Sequence, residues 1–185
     1  MDGGRETADA LWALYTQGKL DRSRNSDQIT EAIKMLLGDA RSRLLARERL
    51  VAAGEYAMIQ LFEQLAARNN ERMQAEVSRI IIDMGQQAVM PLCAALRGSD
   101  PVVQERIADL LGLIGYRTAL PFLFDAASAT QIDAVRQACN RAIQRLGRDT
   151  GVAVDIDTEY LVLAERYYDE QREVTAFPGE DTQLL

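Results

Sequence analysis

Residues Gln86–Gly115 read QQAVMPLCAALRGSDPVVQERIADLLGLIG. Apolar residues recur at helical spacing on either side of Arg97-Gly98-Ser99-Asp100, a cluster of turn formers, and the segment stops at Gly115. The spacing predicts two short antiparallel helices. The next segment repeats the plan: Ala119-Leu120-Pro121 answers Val89-Met90-Pro91, and Leu146-Gly147 answers Ile114-Gly115.

The repeat extends towards the amino terminus. Gly54, Gly85, Gly115 and Gly147 lie 31, 30 and 32 residues apart, and self-similarity at such a period marks stacked supersecondary units. The positions 1, 4, 5, 8, 9 and 12 residues before these glycines are mostly apolar, which marks one face of a helix. In the third unit the positions hold Ile114, Leu111, Leu110, Ile107, Arg106 and Val103; in the fourth, Leu146, Ile143, Ala142, Cys139, Ala138 and Val135. Ser42 and Arg49 interrupt the face in the first unit, as expected where a terminal unit meets solvent. The expectation is an all-α, right-handed solenoid of about four helical hairpins.

Taken in order, Thr7–Gln17 reads as an amphipathic helix capped by Gly18, and Lys19–Asn25 as a polar linker. Ser26 or Asp27 is expected to cap a helix running to about Leu37, followed after Gly38-Asp39 by Ala40–Ala53. Glu55–Ala67 pairs with Asn70–Met84, Gln87–Leu96 with Pro101–Ile114, and Arg117–Ala127 with Gln131–Leu146. Beyond Gly147 the period breaks. A linker leads to one further amphipathic helix, Asp157–Arg172, capped by Asp157 or Thr158. The expected organisation is an amino-terminal helix and linker at 1–25, repeats at 26–54, 55–85, 86–115 and 116–147, and an acidic helix and tail at 148–185. That acidic end reads as a docking tail or as part of a longer protein.

The pattern A-V-x-P-x-L…D-P-x-V…L-G-x-I-G resembles the HEAT repeat in its short bacterial form, the kind also found in phycobilin lyases. Ala88, Val89, Pro91 and Leu92 carry it in the first helix, and Asp100, Pro101, Leu111, Gly112, Ile114 and Gly115 in the second. Pro91 and Pro121 match the proline that bends the family's first helix, with Gln60 in its place in the second unit. Asp39 with Arg43, and Arg136, match its recurrent Asp and Arg, whereas Gln74 and Gln104 depart from that Arg. The resemblance implies a scaffold whose second helices line a concave face, and it implies no particular reaction.

Composition narrows the chemistry. The chain has no histidine, which excludes His bases, His triads and His-containing metal sites. Cys93 and Cys139 sit within apolar helical patterns and read as buried thiols suited to a reducing compartment. No apolar run is long enough to span a membrane, and MDGGRETADALW lacks the pattern of a secretory signal, so a cytoplasmic location is expected. The net charge is −7, and residues 148–185 carry all of it: three arginines against ten acids, while 1–147 balance at 18 and 18.

Three constellations bear on function. Glu48, Arg79, Asp109 and Arg141 each lie six residues before a stop glycine and form a column of alternating charge on second helices about 10 Å apart. It serves either a ligand or, more simply, ion pairing that sets the stacking register. Arg41, Arg43, Arg47 and Arg49, with Arg72, crowd one region and admit a nucleic-acid reading, although the balanced body and absence of interleaved aromatics make a solvated face the simpler one. Asp155-Ile156-Asp157-Thr158-Glu159 lacks the glycine and distal glutamate of a calcium loop and reads as a helix start. Catalytic, cofactor and metal sites are not expected. The expected function is a non-catalytic scaffold that holds a protein or peptide partner on its concave face through Arg79, Glu105, Asp109, Gln137, Arg141 and Gln144. A lyase-associated module and nucleic-acid binding through Arg41–Arg49 are the alternatives.

Overall fold

The computed structural model describes residues 18, 24–67, 70–147, 155–169, 171 and 174. The helix expected at Thr7–Gln17 lies outside the described residues, as do most of the linker after Gly147 and most of the tail beyond α9. Nine α-helices are present among the described residues: α1 (Ser26–Met35), α2 (Ala40–Ala53), α3 (Met58–Ala66), α4 (Glu71–Met84), α5 (Gln86–Leu96), α6 (Pro101–Ile114), α7 (Leu120–Ala129), α8 (Asp133–Arg145) and α9 (Ile156–Tyr168).

Sequential pairs form hairpins, and the hairpins stack as an all-α solenoid of two layers. Contacts run α2–α4–α6–α8 in one layer and α1–α3, α5–α7–α9 in the other. Between the layers lies a continuous core of leucine, isoleucine, valine, methionine and alanine, in which Leu50, Leu61, Ile81, Ile107, Leu123 and Ile143 are fully buried. The face counted back from the stop glycines is this core face: Val77, Ile81, Leu111, Cys139 and Ile143 are all at most 1 % exposed.

The period resides in the turns. Gly54, Gly85, Gly115 and Gly147 all have positive φ, at 55°, 60°, 88° and 77°. The turns are of two kinds. Gly115 adopts φ 88°, ψ 12°, the left-handed cap that lets its N–H bond back to Leu111, and Tyr116 then runs extended. Gly85 adopts φ 60°, ψ −125°, a mirror-image extended conformation in which α4 ends and α5 begins at one residue.

The starts of the first three second helices are capped by side chains, while α8 follows Ile132 without one. Asp39 accepts from Ser42 N at 2.7 Å, Asn70 from Met73 N at 3.2 Å and Asp100 from Val102 N at 3.1 Å. The backbone N–H of Ser42, and then its hydroxyl, hold the Asp39 carboxyl below the usual carboxylate range. At α1 the cap is Asn25, which accepts from Asp27 N and Gln28 N; the expected Ser26 and Asp27 are already helical. At α9 it is Asp155, bound by the Thr158 hydroxyl at 2.7 Å, so the cap lies two residues before the expected Asp157.

The residue eleven before each glycine closes its own hairpin. Arg43 donates to Gly38 O at 2.8 Å, Gln104 to Leu96 O at 2.9 Å and Arg136 to Thr130 O at 2.8 Å, while Gln74 donates to Ala67 O. Each satisfies a carbonyl left open at the end of the preceding helix. The two glutamines therefore perform the task of the two arginines. Arg106, the polar residue on the core face of α6, donates in the same way to Leu65 O of the neighbouring hairpin.

Two first helices open with a short 3-10 turn, Gly54–Ala57 and Arg117–Ala119. Pro121 consequently stands in the first turn of α7, where no N–H partner is needed, whereas Pro91 lies inside α5. Gln60, in the proline's place, donates to the Ser26 hydroxyl at 2.7 Å and ties α3 to the start of α1.

The two turn conformations predict different tolerances. Gly115→Asn loses less than about 1 kcal/mol of stability, because asparagine enters the left-handed region. Gly85→Asn loses about 1–3 kcal/mol, because that region is closed to side chains. Equal losses on chemical denaturation would contradict the distinction.

Candidate functional site: the face of the second helices

Helices α4, α6 and α8 each bury one side and turn the other outward, so residues three and four apart along them line a common surface. The six expected contact residues all belong to these helices. Gln137, Arg141 and Gln144 are exposed on α8, Glu105 and Asp109 are half-buried on α6, and Arg79 is exposed on α4.

The structure brings part of this set together. Arg141 clasps Asp109 across α6 and α8 with Nη2–Oδ2 at 3.0 Å and Nε–Oδ1 at 3.3 Å, and Glu105 adds a further negative charge near the guanidinium. Arg145, which the sequence reading missed, approaches the other Asp109 oxygen at 3.5 Å. Arg79 stands apart and pairs with Glu76 of its own helix at 2.9 Å. Ion pairing in the expected column thus spans the third and fourth units only. Between the first and second units the bridge is Arg47–Asp83 at 2.8 Å, made from different positions. Asp83 and Arg145 each lie two residues before a stop glycine, and that shared register was the available signal.

The Arg41–Arg49 stripe does not form one basic surface. Arg43 turns to Gly38 O, Arg47 to Asp83, and Arg49 lies 3.8 Å from the Met35 sulfur. On the opposite layer Arg97 pairs with Asp125, joining α5 to α7. Tyr160 of α9 meets Phe122 of α7 edge to face at 5.2 Å, so part of the expected tyrosine stripe packs on the last hairpin while Tyr168 stays 90 % exposed.

The reactive groups are quiet. Burial pushes the Cys139 thiol up to about 11 and raises Cys93 well above the ordinary thiol range, so both remain protonated at neutral pH. No cluster among the described residues has the composition of a metal site, and Asp155 is occupied as a cap. No helix among them is long and apolar enough to cross a membrane.

A layered stack of glycine-ended hairpins with quiet side chains defines a helical-repeat protein. A model of HEAT repeats matches residues 58–144 and again 89–174, which together cover more than half of the chain, and the protein belongs to the HEAT-repeat family. Comparison with curated proteins and with solved structures returned no match. Repeats of this family commonly serve as protein-interaction scaffolds and are generally non-catalytic. The second match reaches past α9, in keeping with its place beside α7 in the first-helix layer.

Asp109 and Arg141 are 37 % and 48 % exposed, so solvent screens their attraction. A double-mutant cycle with Asp109→Ala and Arg141→Ala is expected to give a coupling of about 0.2–1 kcal/mol in denaturant unfolding. A coupling indistinguishable from zero would show that the pair does not hold α6 against α8.

Proposed function

We propose that this protein is a non-catalytic scaffold that holds a protein or peptide partner on the outward, concave face of its second helices. The observation that carries the reading is the division of labour within α4, α6 and α8. One side of each helix is spent on the core, and the other presents Arg79, Glu105, Asp109, Gln137, Arg141 and Gln144 from backbones that packing already holds in place. A partner meeting such a surface orders few protein groups on binding, which removes part of the usual cost of association. The amide and charged side chains supply hydrogen bonds that select the partner rather than bulk apolar attraction. We take the hairpins at 26–54, 55–85, 86–115 and 116–147 as the binding unit, with 1–25 and 148–185 flanking it, and the cytosol as its setting.

The test is a cross-linking pull-down from native lysate with the full chain, run beside an Arg79→Ala/Asp109→Ala/Arg141→Ala variant whose helicity matches the wild type. A partner captured by the wild type is expected to fall at least about tenfold with the variant, the loss of a contact contributing about 1.4 kcal/mol. Equal capture by both would exclude this face.

A further inference from the structure

Helices α2 and α4 leave a groove between them on the same face, with a volume of about 530 Å³. Its floor is apolar: Leu36 and Ile80 are 1 % and 3 % exposed, and Leu44 on the rim is 60 % exposed. Around that floor stand four arginines, Arg43, Arg47, Arg72 and Arg79, against two carboxylates, Glu76 and Asp83. Both carboxylates are already engaged, Asp83 by Arg47 and Glu76 by Arg79. Arg43 is held by the Gly38 carbonyl with the Asp39 carboxylate close by, and Arg72 has no ion-pair partner among the described residues, so one positive charge is left uncompensated. The groove is a basic, partly apolar site on a chain whose net charge is −7.

We propose that this groove docks an acidic amphipathic helix of a partner protein, with its apolar side chains on Leu44 and the Leu36–Ile80 floor and a carboxylate on Arg72. The inference rests on the scaffold reading and gives it a partner class. Charge complementarity selects the occupant: residues 1–147 are electrically balanced and 148–185 carry the net −7, so an acidic segment is repelled by the acidic end and attracted to this locally basic groove. A helix laid in a groove through spaced apolar anchors would cover Leu44 on the rim. A nucleic acid would meet the same arginines but would leave the apolar floor and Leu44 uncovered.

The experiment is fluorescence anisotropy on the full chain with three labelled probes. These are a synthetic amphipathic helix with leucines on one face and flanking glutamates, the same peptide with lysine for glutamate, and a double-stranded DNA oligonucleotide. The acidic peptide is expected to bind, more weakly as salt rises, and the other two not to bind. Arg72→Glu and Leu44→Ala are each expected to weaken it about tenfold. Arg72 is exposed in the first turn of α4, where glutamate suits the helix dipole, so this variant retains its fold. Binding of the lysine peptide or of DNA as tight as that of the acidic peptide would overturn the proposal, and so would Arg72→Glu and Leu44→Ala variants that bind like wild type. If the acidic peptide instead responds to Gln137→Ala/Gln144→Ala and not to Arg72→Glu, the groove is overturned while the scaffold reading stands.

Discussion

At Gly112 the backbone of α8 comes so near α6 that an added methyl group would lie 2.8 Å from the Cα of Ala142 and 3.0 Å from its Cβ. The seating of the fourth hairpin on the third depends on this approach. Two helices meet so closely only where both present small residues, and here Ala108 and Gly112 face a helix that buries Ala138, Cys139 and Ala142. The contact leaves no room for polar groups, so the charges move to its edge, where Asp109 meets Arg141 and Arg145. Burial of the small residues supplies the attraction and the ion pairs mark the register.

The glycine turns make the stacking of hairpins repeatable. A second helix that ended with any ordinary residue would run on, or leave its last carbonyls open, and the next hairpin would not fall into line. At Gly85 the reversal takes a single residue, while at Gly115 it takes a left-handed cap, an extended Tyr116 and a 3-10 turn. The same stacking results from either path. The constant feature is the distance along the second helix from its cap to its glycine, and the hairpin-closing side chain at one fixed step along it. Arginine and glutamine exchange there because the task is to deliver an N–H to a carbonyl, not a charge.

Much of this was legible in the residues. The glycine period, the core face and the second helices followed from spacing, and α2 and α6 have the expected bounds because Asp39, Asp100, Gly54 and Gly115 are local signals. The first helices were less legible. A 3-10 turn at Gly54–Ala57 depends on how α3 docks, which no local residue announces. The Asn25 and Asp155 caps were displaced by the presence of several good capping residues in succession. The candidate site was legible only as a set of outward positions. Which charges pair is decided by side-chain reach across neighbouring helices, so Arg79 turned to Glu76, Arg145 joined Asp109, and the arginines of α2 dispersed among three different acceptors. The groove between α2 and α4 combines residues from two units and has no signature along the chain.

The most direct test of the account is the sign of the stability change in Gly112→Ala, measured by chemical denaturation. In a helix interior that packs against nothing, alanine gains about 1 kcal/mol over glycine. Against the backbone of Ala142 the added methyl forces the two helices apart, and the account predicts a net loss of about 1–3 kcal/mol. A gain in stability would contradict the close stacking of α6 on α8 and the register built on it.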